Sequence, residues 1–200
     1  MDDEIVLNSD MMDVVAKEGL SVASEDAKKD WHYMADAVRQ NPKAFSHVHK
    51  DLKDDPKWFN MFNTICKGFD HHQKVVAGEI KKKYVSMEKQ QVNMEKQLDW
   101  IVNWVHHNNA HVKKHCKQYL NSKSLPLSVK IFIAEQTGNP NWANRLYQTN
   151  GKYFQPSLAF FTKNITSGHQ AVGGGVERQL KILRNKALFD SSTSLAILKV

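Results

Sequence analysis

Between Lys74 and Ser122 the chain carries no proline and a single glycine, Gly78, while bulky residues return in alternating steps of four and three. The series runs Ile80, Tyr84, Met87, Gln91, Met94, Leu98, Ile101, Val105, Asn108, Val112, His115, Tyr119. That spacing keeps one stripe of an α-helix apolar, and the intervening Lys81, Lys82, Lys83, Glu88, Lys89, Glu95 and Lys96 suit its wet side. The pattern predicts one continuous helix over 74–122, roughly 70 Å long at about 1.5 Å per residue. Such a rod either pairs with a partner helix or serves as a spine for shorter ones. A second stripe, Val85, Val92, Trp100, Val102 and Trp104, widens the apolar face beyond what a two-stranded coil needs and favours the spine. Ile80, Tyr84, Met87, Met94, Leu98, Ile101 and Val105 are the candidate protein interface.

An internal repeat precedes this stretch. Leu20–Asp30 overlays Phe45–Asp55, with Ser21 on Ser46, Asp26 on Asp51, Ala27 on Leu52, Lys28 on Lys53 and Asp30 on Asp55. After each second aspartate comes a helical pattern, Tyr33, Met34, Ala37, Val38 in one copy and Trp58, Phe59, Phe62 in the other. Asp30 and Asp55 read as helix N-caps, because a carboxylate there accepts amides that the first turn leaves unpaired. Pro56 falls at the first helical position, where a missing N–H costs nothing. Asn41-Pro42 breaks the chain between copies, and Met11, Met12, Val15, Ala16 and Gly19 suggest an earlier partial copy.

The pattern Gly19-Leu20-x-x-Ala23-Ser24-x-x-Ala27-Lys28-x-Asp30-x-x-Tyr33-Met34-x-x-Ala37-Val38-x-Gln40-Asn41 resembles the repeats of domain of unknown function 4116. The resemblance covers residues 10–65. That family consists of short tandem helical repeats, found in large DNA viruses and some bacteria. The second copy departs from it with Phe62 at a usually small position and with His47 and His49 in the linker. The resemblance implies a packing and interaction module and a setting in a virion or large complex. It transfers no functional residues.

Charge is uneven. The net +7 divides into 8 Lys/Arg against 13 Asp/Glu in residues 1–60 and 20 against 8 in residues 61–200. An acidic head and a basic body point to an anionic partner or to contacts between copies of the chain. Candidate anion contacts are Lys113, Lys114, Lys117, Arg145, Lys152, Arg178, Lys181 and Arg184. Trp142, Tyr147, Tyr153 and Phe154 lie among Arg145 and Lys152, an arrangement able to stack on bases and grip phosphates.

His107, His111 and His115 recur every fourth residue, which on one helix aligns imidazoles for a metal ion. No acidic base accompanies them, and Lys113, Lys114 and Lys117 oppose a cation, so no metal or other cofactor is assigned. Gly173-Gly174-Gly175 lacks the Lys-Ser/Thr of a phosphate loop and reads as a hinge or tight turn. After residue 60 carboxylates are scarce; Asp70 beside His71 and His72, and Glu135, have no partner fixed by spacing. The chain reads as a non-enzyme. Two cysteines, an acidic start and no run of about 20 apolar residues give an expectation of an intracellular or virion protein without a signal peptide or membrane span.

Short helices are expected at Ser128–Thr137, from Pro140, from Pro156 and at Val176–Phe189, before an apolar tail over 190–200. The expected fold is all-α: a repeat head over 1–68 and a basic body over 69–200 built on the long helix. The expected role is structural, an assembly or scaffold protein that binds other proteins, including copies of itself. Sequence-nonspecific nucleic-acid binding by the basic body is the alternative.

Overall fold

A computed structural model describes residues 23–80, 86–150 and 174–197. The fold is all-α, with no strand among the described residues. The chain divides into two compact units, Met1–Trp58 and Phe59–Val200.

In the first unit the repeat is visible as geometry. A short helix, α1 (Glu25–Lys29), precedes α2 (Trp31–Gln40); a 3-10 helix (Pro42–His47) leads to α3 (Lys50–Lys53), then α4 (Pro56–Val76) begins. Ser24 caps α1 by accepting from the Ala27 amide at 3.2 Å, and His49 caps α3 through Nδ1, 3.4 Å from the Asp51 amide. Asp30 accepts from the Tyr33 amide and Asp55 from the Lys57 amide, each at 2.8 Å. Both aspartates thus fill the capping role read from the sequence, and Pro56 is the first residue of α4. The His49 amide donates to the Lys28 carbonyl at 3.1 Å and joins the copies. Trp58 closes the core with its ring 4.3 Å from Trp31 and edge-on to Phe45 at 5.3 Å. Its Nε1 donates to the Leu52 carbonyl at 2.6 Å, so the indole is buried with its polar atom satisfied.

The second unit overturns the continuous rod. Helix α4 stops at Val76. Gly78 then adopts φ +77, its amide donates to the Val75 carbonyl at 3.0 Å, and the Glu79 amide donates to the Lys74 carbonyl at 2.9 Å. This paired closure by a left-handed glycine terminates a helix. Ser86 starts α5 (Met87–His107) by accepting from the Lys89 amide at 3.3 Å. Single-residue turns at Asn108 and His115 separate α5 from α6 (Asn109–Lys114) and α6 from α7 (Cys116–Asn121). Asn and His are weak helix formers, and Asn109 Nδ2 donates to the Gln136 carbonyl at 2.9 Å, which the end of a later helix leaves open.

The spine is another element. Helix α8 (Leu127–Gln136) buries Ser128, Val129, Ile131, Phe132, Ile133 and Ala134, so it is enclosed on every side. It packs on α5, α7, α9 (Pro140–Asn150) and α10 (Gly174–Ile197). A straight rod would touch one side of α8; a chain bent at Asn108 and His115 wraps it. Beside it, Trp100 and Trp104 stack at 5.2 Å, Phe62 lies 6.2 Å from each, and Tyr119 meets Phe62 edge-on at 5.1 Å. Trp104 Nε1 donates to the Tyr119 hydroxyl at 3.3 Å, and burial pushes the Tyr119 phenol far above its usual pKa.

Helix α10 closes the unit with Leu180 and Leu183 inside. Buried Gln179 donates to Asp70 at 2.8 Å and to Gln73 at 3.3 Å, and accepts from the Ser128 hydroxyl at 2.5 Å. Gly174 and Gly175 belong to the start of α10 and form no hinge, while Gly173 lies outside the described residues.

Candidate functional site

The seam residues are placed mostly inside. Ile101 and Val105 are fully buried, Met94 and Leu98 nearly so; Ile80 and Met87 are exposed, and Tyr84 lies outside the described residues. Four of the seven assigned to a protein interface therefore form the chain's own core. The basic helix is likewise engaged internally. Arg184 grips Glu135 through two bonds, at 3.0 and 2.5 Å, and Arg178 pairs with Glu79 at 3.0 Å. Both were candidate anion contacts, and both are neutralised by carboxylates on neighbouring elements. Lys181 is exposed, and Lys152 lies outside the described residues.

The histidine stripe does not run along one helix, because Asn108 and His115 interrupt it. His107 is exposed at the end of α5, with its ring 5.1 Å from His106. His111 turns edge-on to Trp104 at 6.0 Å, and its ring lies 4.6 Å from His115.

The remaining candidates converge where two turns of the chain meet. Helix α6 ends in Lys113 and Lys114, His115 makes the turn, and Cys116 and Lys117 open α7. Facing them is the corner between α8 and α9. Gly138 takes φ +72, its amide donates to the Glu135 carbonyl at 3.2 Å, and the Asn139 amide donates to the Ala134 carbonyl at 2.8 Å. The glycine stop read at this position is thus the same device that ends α4. Asn139 Nδ2 donates to Thr137 Oγ1 at 3.0 Å and reaches Cys116 Sγ at 3.6 Å, while the Thr137 hydroxyl donates to the Ile133 carbonyl at 2.7 Å. One amide thereby ties the start of α7 to the corner and sets the lysines against the first turn of α9.

That first turn carries Trp142. A hollow of about 590 Å³ lies between it and the basic turn, lined by Lys113, Lys114, His115, Cys116, Lys117, Gln118, Asn139 and Trp142. A second, of about 300 Å³, is lined by Gly138, Asn139, Pro140, Asn141, Trp142 and Arg145. The two share Asn139 and Trp142. Lys113, Lys114, Lys117 and Arg145 are exposed, Trp142 is half-buried, and among the described residues no carboxylate lines either hollow. Exposed Lys113 and Lys117 therefore give the larger hollow a positive character beside the half-buried Trp142. Cys116 Sγ has Thr137 and Asn139 as its hydrogen-bond partners, neither of them a base able to activate it as a nucleophile.

Sequence reasoning named the four cations and Trp142 but missed Asn139 and Gln118. The Gly138-Asn139-Pro140 signal marked a helix stop and start, yet only tertiary folding brings it against residue 116. No helix among the described residues is long and apolar enough to cross a membrane. No known family, characterised protein or solved structure matches the chain, so the family resemblance rests on the residues quoted for it.

Proposed function

We propose that this is a non-catalytic protein that binds nucleic acid without sequence preference, holding the phosphate backbone at the basic turn between α6 and α7 and along the α8–α9 corner. The carrying observation is the convergence of exposed Lys113 and Lys117 with Trp142 on one hollow that, among the described residues, no carboxylate lines. Backbone phosphates need cations arranged along a path, with no directional base readout. The internal pairing of Arg178 and Arg184 supports this placement, because it occupies two of the candidate anion contacts on α10.

The test is equilibrium binding of labelled DNA and RNA to the full chain across a salt series. Affinity falls steeply with salt and differs little between sequences, and the double variant Lys113→Glu, Lys117→Glu abolishes it. An affinity that ignores salt, or survives that charge reversal, removes the reading.

An assembly role is the second reading. It is favoured by the exposure of Met87 and Val92 on α5 and of Ile80 just before it. Native mass measurement tests it: a higher oligomer that Met87→Glu dissociates supports copy-to-copy contact through this edge.

A further inference from the structure

Resting on that nucleic-acid reading, we propose that the strand taken is single, and that an unpaired base stacks on Trp142 while its flanking phosphates lie on Lys113 and Lys117 of the larger hollow. Of the five tryptophans, Trp58, Trp100 and Trp104 are buried and Trp31 packs against Trp58; Trp142 opens onto both hollows. Trp142 is half-buried, so part of its surface stays accessible.

Its position is built rather than incidental. The Trp142 amide donates to the Asn139 carbonyl at 3.0 Å, and Asn139 is pinned in turn to Thr137 and Cys116. The backbone of Trp142 is therefore held against the lysine-bearing turn. A hollow of about 590 Å³ falls within the range of sites that enclose small molecules and has room for a base with its sugar. In a duplex each base face is already covered by its neighbours, so an indole gains from stacking only on a base out of its stack. Every base has such a face, which makes the contact tolerant of sequence.

The proposal is tested by fluorescence polarisation at low salt with three probes: a labelled oligothymidylate, a blunt DNA duplex and inorganic polyphosphate. Trp142→Ala lowers affinity for oligothymidylate by about tenfold or more and leaves duplex and polyphosphate within about twofold; Trp142→Phe keeps most of the binding and controls for the fold. The double variant Lys113→Ala, Lys117→Ala weakens all three probes and reduces the salt slope by about one or more. If Trp142→Ala spares oligothymidylate, or weakens all three alike while the lysine variant still acts, the stacked base is wrong and the phosphate grip stands. If no probe binds, or the lysine variant changes nothing, both readings fall.

Discussion

Asp30 and Asp55 each hold the first turn of a helix with one carboxylate oxygen, 25 residues apart in sequence and in the same role. Replacing either by alanine leaves a first-turn amide without its partner. Asp30→Ala is expected to lower unfolding free energy by about 1 kcal/mol, with Asp30→Asn keeping most of it, and urea denaturation followed by circular dichroism measures both. Tyr119 carries a different signature. Burial raises its pKa above the ordinary value of 10.0, so the folded state favours the neutral phenol. That contribution is fully present below pH 10 and is lost as pH climbs towards the folded-state value. Buried Cys66, also raised, acts on the same alkaline limb. Stability therefore falls with pH on the alkaline side, and Tyr119→Phe makes the fall shallower; melting temperatures measured from pH 8 to pH 11 by about half-unit steps would show it. An unchanged alkaline slope in the variant would mean that Tyr119 ionises without unfolding.

At the scale of elements, Gly78 provides a test of sign. In an uninterrupted helix, Gly78→Ala would stabilise by up to about 1 kcal/mol. With φ at +77 and open space around the added Cβ, the cost is backbone strain alone, and the expected result is destabilisation by about 1–2 kcal/mol. Ile131→Ala on α8 is expected to cost about 2–5 kcal/mol, since the side chain is wholly enclosed and leaves a cavity. Thermal or urea melts measure both. These two elements also mark how far the sequence could be read. The capping aspartates, Pro56 and the Gly138 stop were legible because each acts within a few residues of itself. The seam was legible as buried surface, as Ile101 and Val105 confirm. It was not legible what buries them, because periodicity carries no address. The run Val129, Ile131, Phe132, Ile133 looked like one more short helix; its central place follows from contacts with partners that lie far along the chain. Gly78 was visible but was outvoted by the apolar pattern on either side, although a left-handed glycine needs no other signal to end a helix. The candidate site was half legible: its charges and indole are chain-local, whereas the amide that joins them acts across 23 positions.

For the whole molecule, the net charge does not say where a partner meets the cations. Ion pairs hold Arg178, Arg184 and Lys186 to Glu79, Glu135 and Asp99, so much of the basic excess of α10 is neutralised within the chain. Four cations, Lys113, Lys114, Lys117 and Arg145, line the hollows. If all four meet phosphates of a single strand, log affinity falls with log salt at a slope near −3, at about 0.7 per contact. A slope steeper than about −6 would require contacts well beyond these four. The enclosure of α8 has a consequence of another kind. This greasy segment leaves the ribosome well before α10, which supplies Leu180, Leu183 and Gln179 against its surroundings. Until synthesis has passed that point the nascent chain displays a naked apolar surface. Products that stop short of residue 174 are thus fitted to be seized by chaperones or destroyed by proteases, and only chains that reach the last helix escape that quality control.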